Sequence, residues 1–422
     1  MTKLTARVSV ALVAALLVAS GFWAPANGEA WAPTWSHAAP SAGPALPQDA
    51  AVDAPNADSP VSSQGVEAQE LPVPDGEDFS EVAYPGTLLR VGGENRYETA
   101  ILLSQLAYPT AGSAGAVVLS RSDLFPDALS GGPLAAAVDG PVLITPSTVL
   151  RDDVLGEIKR VLPAGETVYV LGSYDALSAN VENTLQAAGY QTVRFAGANR
   201  FETSLMIADE VERVAGTPKF LFVATGLNFP DALAAGAAAA SFNHATLPAE
   251  VPTAVVVLSR DYTLTTPVRD YLADLHPTED PDSDIIAAGG QASWAVWDAF
   301  GCDYEERCFY YEGANRYQTA AWIAYDAYDP HTGFGLTTGL NFPDALTGAP
   351  VLAGYNWPVL LVPPTGPIPT HSEDSVREFL TDNSATLTDG LVLGSPASVS
   401  TTVAADVCDI TSIENCDIPF VP

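Results

Sequence analysis

Three arginines and three aspartates stand where their charge needs an explanation. Arg96, Arg200 and Arg316 each follow an asparagine (Asn95, Asn199, Asn315) in a recurring octapeptide, Gly-x-Asn-Arg-Tyr/Phe-x-Thr-Ala/Ser. Asp127, Asp231 and Asp344 each lie within Phe-Pro-Asp-Ala-Leu. From Arg to the next Phe is 29 residues in the first two copies (96 to 125, 200 to 229) and 26 in the third (316 to 342). Asn is a strong N-cap, and Glu98, Glu202 and Gln318 follow it at capping-box spacing, so each octapeptide predicts a helix start. The Arg then occupies about the first helical position, where the helix dipole disfavours a cation by a few tenths to about 1 kcal/mol. Lys plus Arg number only 17 in the chain, yet three are spent here. Two kinds of partner could compensate. One is an acidic side chain, pairing Arg96 with Asp127, Arg200 with Asp231 and Arg316 with Asp344 so that two loops are locked. The other is an anionic group of a ligand, held by the guanidinium and the helix N-termini. The residues alone leave both open.

The elements that must position these motifs alternate regularly. In the first unit, short apolar strands are expected at 88–91, 116–120, 141–145 and 167–171. Between them come helices at 95–107, 126–138, 150–161 and 176–188. The order recurs with strands at 191–195, 220–224, 251–258 and 285–288, then at 333–337, 358–362 and 390–393. Apolar strands alternating with helices of this length imply a parallel sheet with helices on both faces. Both motifs then fall at the carboxyl ends of strands, the edge where such sheets bind ligands. Pro followed by Asp makes a good first helical turn, which Asn228 and Asn341 can cap, with Asp123 at the corresponding place in the first unit. Each unit is as large as a compact domain, so the reading is three tandem α/β modules over 86–190, 191–307 and 308–407. A tail follows at 408–422, and loop insertions in the second unit lie at 242–250 and 279–284.

Composition narrows the function. The 422 residues carry a formal charge of −34, which argues against nucleic acid or an anionic membrane as a partner. Lys3 and Arg7 precede an apolar run from Val8 to Val18, the pattern of an export leader over 1–32 cleaved between about 24 and 32. Residues 33–85 are rich in Ala, Pro, Ser and acids, too poor in apolar periodicity to bury a core, and read as a disordered linker. No later stretch is apolar enough to span a bilayer. Cys302 with Cys308 and Cys408 with Cys416 form close pairs without metal-ligand spacing, so two local disulfides are expected and no metal site. None of the five His recurs between units, and no nucleophile elbow, phosphate loop or dinucleotide fingerprint occurs. No cofactor is expected.

The octapeptide, Phe-Pro-Asp-Ala-Leu and the following Gly-Pro-Val-Leu-Ile-Thr (140–145; Trp-Pro-Val-Leu-Leu at 357–361) together resemble the cell wall binding repeat 2 family. The resemblance covers about 86–407. It implies three modules packed with pseudo-threefold symmetry in one chain, and non-covalent binding of anionic cell-wall polymer through a Pro-x-Leu-Leu region. Carried over, that region is Pro141, Leu143 and Ile144, and Pro358, Leu360 and Leu361, with a weaker match at 255–257. The first unit departs from the pattern with Ser122-Asp123-Leu124 in place of Gly-Leu-Asn. The expected role is a secreted, non-catalytic protein of the cell wall or cell surface. Its partner would be a wall polysaccharide or teichoic-acid-like polymer, with divalent cations able to bridge two acidic partners. The alternatives are a wall hydrolase working in an inter-module cleft with Asp127, Asp231 or Asp344 as acid or base, and an adhesin.

Overall fold

The computed structural model describes residues 86–244, 252–276, 282–368, 375–411, 413–416 and 420–421. The expected leader and linker, and parts of both second-unit insertions, lie outside these. Three all-parallel sheets are formed. In the first, β2 (Ala116–Arg121) is flanked by β3 (Val142–Thr145) and β4 (Thr167–Leu171), and β5 (Gln191–Phe195) lies outside β4. In the second, β6 (Pro218–Thr225) is flanked by β7 (Thr253–Ser259) and β8 (Asp284–Ala288), and β9 (Cys308–Tyr311) closes the edge. The third runs β11 (Val359–Val362), β10 (Gly333–Thr338), β12 (Asp389–Leu393), then β1 (Leu88–Val91), with β13 (Phe420–Val421) outermost. The central strands are buried along nearly their whole length, as parallel strands covered on both faces must be.

The strand that opens each unit in the sequence hydrogen-bonds to the sheet of another. Gln191–Phe195 pairs with β4 of the first sheet, Cys308–Tyr311 with β8 of the second, and Leu88–Val91 with β12 of the third. The last of these joins the first described strand to the final unit, in register Leu88↔Gly390 to Val91↔Leu393. The chain is therefore closed into a ring.

At the middle of the ring stand the helices that follow Phe-Pro-Asp: α2 (Gly131–Ala137), α6 (Pro230–Asn243) and α10 (Pro343–Tyr355). They are almost entirely Ala, Gly and other small residues, and nearly every residue is buried, which is how a helix apolar all round must sit. Small side chains let the axes approach. A Cβ added to Gly132 would lie 3.4 Å from that of Ala349, and Ala136, Ala240 and Ala353, eleven residues after the motif Phe in each unit, form a cluster of their own. At the other end of the bundle the rings of Phe125, Phe229 and Phe342 meet pairwise at 5.5, 6.0 and 6.1 Å. Equivalent residues meeting one another at two levels define a pseudo-threefold axis.

The first unit differs in one local respect. A helix was expected from 126, but α2 starts only at Gly131, whereas α6 and α10 start at Pro230 and Pro343. The Oδ1 atoms of Asn228 and Asn341 accept the amides of Phe229 and Phe342 at 2.9 and 3.0 Å, and Leu124 in their place has no acceptor. Asp123 does not cap either, because Arg121 takes both its carboxylate oxygens at 2.7 Å. Both expected disulfides are present, Cys302–Cys308 and Cys408–Cys416.

Candidate functional site

The octapeptide builds the helix starts of α1 (Arg96–Ala107), α5 (Arg200–Ala215) and α9 (Arg316–Ala327). Asn95 Oδ1 accepts from the amides of Tyr97 and Glu98 at 3.0 and 3.1 Å, and Asn199 and Asn315 repeat this with the same distances. These asparagines are thus committed to the backbone. The residue three beyond reaches past the cap to the amide before it. Glu98 accepts from Glu94 N at 2.8 Å, Glu202 from Ala198 N at 3.1 Å and Gln318 from Ala314 N at 2.5 Å. The motif's Thr, given no role above, ties the turn to the helix. Thr99, Thr203 and Thr319 accept from the amides of Gly93, Gly197 and Gly313 at 3.0, 3.2 and 3.2 Å, and their hydroxyls lie 3.2–3.4 Å from the carbonyls of the capping asparagines. The recurrence of Thr at one position in all copies was the signal for it.

Each Arg donates to a carbonyl of its own unit. Arg200 Nη1 reaches Gly226 O and Arg316 Nη1 reaches Gly339 O, both at 2.5 Å, and Arg96 Nη1 reaches Ser122 O. Those carbonyls lie just beyond β6, β10 and β2, so the Arg does fasten two loops. Its acidic neighbour, however, is not the one expected. Arg200 acts on Asp127, Arg316 on Asp231 and Arg96 on Asp344. Among the described residues no ion pair links any of these arginines to an aspartate of its own or another unit. The pairing Arg96–Asp127, Arg200–Asp231, Arg316–Asp344 is therefore replaced by a cyclic shift. The reason is the topology: each octapeptide follows the strand that closes the preceding unit's sheet, which carries its Arg to that unit's Asp.

The aspartates are enclosed at these junctions. Each carboxylate is pressed against a glycine that ends the neighbouring strand in its own unit. A Cβ on Gly172, Gly289 or Gly394 would lie 2.6, 2.1 or 2.2 Å from Oδ2 of Asp127, Asp231 or Asp344, and all three glycines have φ near +90°. Burial raises all three carboxyls above the ordinary range. Asp231 is pushed up to about 6, against the lowering effect of the Arg316 charge and the Thr319 hydroxyl. For Asp127 the Thr203 hydroxyl and Arg200 oppose the rise, and for Asp344 Ser398 and Arg96 do. Burial also lowers Arg200, which Asp127 partly offsets.

Two cavities open on this edge. One of about 190 Å³ lies at the junction of the second and third units, lined by Asp231, Gly289, Gly290, Asn315, Arg316 and Thr319 among others. The second, of about 540 Å³, lies in the second unit beside the start of α5 and includes Arg200 and Arg260. The residues of the Pro-x-Leu-Leu region are in neither. Leu143, Ile144, Leu360 and Leu361 are wholly buried in β3 and β11, and Pro141 and Pro358 are buried just before them. Their side chains form the sheet core and offer a ligand no surface. His276, Cys302 and Cys308 bring three metal-ligand atoms within 4.8 Å of one another. Both sulfurs are held in a disulfide, which does not fit a thiolate metal site. No helix among the described residues is long and apolar enough to cross a membrane.

Residues 90–182, 194–294 and 311–404 each match the cell wall binding domain 2 (CWB2) family. The chain is 25% identical over 319 residues to the N-acetylmuramoyl-L-alanine amidase LytC of Bacillus subtilis (strain 168), covering 75% of this chain and 57% of that protein. It is 26% identical over 325 residues to the amidase enhancer of the same organism, covering 76% and 40%. It thus spans about half the length of these relatives. In fold it is similar to Cwp8 from Clostridium difficile (TM-score 0.65, 24% identity, 77% of this chain and 52% of that one) and to Cwp6 (TM-score 0.62, 20% identity, 79% and 48%). With all three repeats matched in order along most of the folded sequence, the chain belongs to the cell wall binding domain 2 family.

Proposed function

We propose that this chain is an exported, non-catalytic surface protein that holds an anionic cell-wall polymer non-covalently. The observation that carries the reading is the threefold presentation of an arginine at the carboxyl edge of a sheet, with no carboxylate in ion-pair contact among the described residues. On a chain of charge −34, three such positions form local cationic points in an otherwise repelling field, and an anionic polymer is the partner they suit. Three weak contacts on one rigid ring would reinforce one another, since the second and third bind from a raised effective concentration. Divalent cations bridging the chain's surface carboxylates to the polymer would add to this. The apolar run after Lys3 and Arg7 supports export, and surface attachment then follows from the polymer.

The test is sedimentation of the full chain with purified walls, before and after chemical removal of the anionic polymer, with and without a chelator. Co-sedimentation lost with the polymer is expected. Binding that survives its removal overturns the reading, and a chelator effect measures the bridging contribution. Release of soluble fragments from peptidoglycan would instead establish the hydrolase alternative, for which the 190 Å³ cavity provides one lining carboxylate, Asp231, among the described residues.

A further inference from the structure

The three repeats share a fold but do not offer the same surface. The 540 Å³ cavity of the second unit brings the Arg200 guanidinium together with Arg260, Asp261, Leu227 and Phe201. Arg260 is exposed, and among the described residues its side chain has no hydrogen bond or ion pair. Asp261 holds the Gln291 amide at 2.9 Å through one carboxylate oxygen, and among the described residues its other oxygen accepts no hydrogen bond. Leu227 is about half exposed and forms an apolar wall.

The corresponding places elsewhere are built differently. The residue after the strand is Arg260 in the second unit but Pro146 in the first and Pro363 in the third. Where the second unit has Leu227, the first has Asp123, an exposed carboxylate already bound by Arg121, so that neither an apolar wall nor an unanswered charge stands there. The first unit does place a cation nearby, as Arg151 stands immediately before its helix where Thr265 stands before that of the second unit. That guanidinium is stacked 4.5 Å over the Tyr97 ring and bound by both carboxylate oxygens of Asp153, so its charge is already answered. The third unit keeps an apolar residue, Leu340, but has Pro363 and Pro364 where the second has Arg260 and Asp261.

We infer that anion recognition is concentrated in the second unit, in a subsite for a polyol or sugar residue bearing a phosphate or carboxylate. This deepens the wall-polymer reading and rests on it. Arg200 and Arg260 take the anionic group from two sides, the arrangement that favours charge-assisted hydrogen bonds over a single diffuse attraction. Asp261 accepts from hydroxyls next to that group, which a bare inorganic anion lacks. Leu227 and the edge of Phe201 cover the C–H face of the ligand. The repeats are thus unequal: the first and third position the ring and hold the polymer weakly, while the second selects it.

Calorimetric titration of the full chain with poly(glycerol phosphate) and, separately, polygalacturonate tests this, with wall sedimentation run in parallel. Arg260→Gln and Leu227→Asp, both at surface positions, are compared with Arg151→Gln, and their melting temperatures are checked. Loss of one charge-assisted contact should weaken binding of the preferred polymer by about tenfold or more. Leu227→Asp should weaken it similarly by importing the first unit's carboxylate, while Arg151→Gln stays within about twofold. Equal losses for Arg151→Gln and Arg260→Gln would overturn the inference, as would an Arg260→Gln variant that binds like wild type, or a wild-type chain that binds neither polymer. If polymer binding depends on Arg260 but walls do not sediment the chain, the subsite stands and the wall reading falls. If walls sediment wild type and Arg260→Gln equally, the reverse holds.

Discussion

The enclosed aspartates make a prediction whose sign is unusual for an acidic residue beside an arginine. Asp231 has a folded-state pKa of about 6 against an ordinary 3.8. A group whose folded pKa is raised binds its proton more tightly in the native state, so stability is gained on acidification and lost as pH rises from about 4 to 6. Above pH 6 the cost of keeping the carboxyl ionised is at most the full shift, about 3 kcal/mol at 1.36 kcal/mol per unit, reduced by solvent in the cavity that the half-buried Asp231 lines. Asp231→Asn has nearly the same shape and carries no charge. It should therefore stabilise the protein by up to about 3 kcal/mol at pH 7.5, and the gain should vanish by about pH 4. The competing effect is loss of attraction to Arg316, and removing one partner of a buried pair commonly costs more than it gives. Here Arg316 is not left alone, because its guanidinium donates to Gly339 O and it lines an open cavity with Asp231. If the folded ring melts as one unit, the gain is at most about 4–5 °C in Tm at neutral pH. Urea and thermal unfolding of wild type and Asp231→Asn between pH 4 and 8 provide the measurement. A variant less stable than wild type at pH 7.5 would refute the reasoning, since Arg316 would then outweigh desolvation.

Three further outcomes follow from packing. Gly289 and Gly189 share a positive φ, +86° and +93°, but a Cβ on Gly289 would strike Asp231 Oδ2 at 2.1 Å, and one on Gly189 meets nothing within 4 Å. Gly189→Ala should cost about 1–2 kcal/mol of backbone strain, and Gly289→Ala about 1–3 kcal/mol more for the clash, both read by urea denaturation. Ala240→Leu forces a branched side chain into the axial cluster with Ala136 and Ala353; a loss of about 1–3 kcal/mol or more is expected, whereas Ala→Leu at the exposed Ala187 should be near neutral. Replacing Cys408 and Cys416 by Ser opens a short loop, 8 residues apart in sequence, for a cost of about 2–3 kcal/mol. Because Asn415 N donates to Gly86 O at 2.8 Å and Asn415 O accepts from Leu88 N at 3.1 Å, hydrogen exchange should rise first at β1.

The division between what was legible in the sequence and what was not follows the range of each interaction. Asn95 and its copies cap their helices because a cap is decided within three residues, and strand and helix patterns are decided within about ten. The small residues of a run such as 232–240, almost all Ala, point to a helix lying close to its sheet, but not to three such helices meeting on one axis. Phe-Pro-Asp in the first unit misled at the same short range, because Asp123 was read as a cap while Arg121, two residues before it, had the stronger claim. The Arg–Asp partners were out of reach for a different reason. Three near-identical copies make every within-unit pairing look equivalent to every between-unit pairing, and local rules cannot tell them apart. What decides is the strand before the octapeptide. It completes the sheet of the unit before it, and in the first copy, where no unit precedes it in the repeat, Leu88–Val91 completes the third. The sequence repeats at one phase and the sheets close at another, offset by one strand. The junctions at Asp127 and Asp231 consequently take their Asp and Gly from one unit and their Arg and Thr from the next, while at Asp344 the Arg comes from the first unit and the hydroxyl, Ser398, from the third. The arginines thereby tie the ring together through charge across the junctions while their hydrogen bonds stay within the unit. That division leaves the lock and the proposed ligand contact without competition for one guanidinium. A single nitrogen, Nη1, makes the carbonyl bond, and in the second unit the rest of the Arg200 guanidinium is available to the cavity where Arg260 stands.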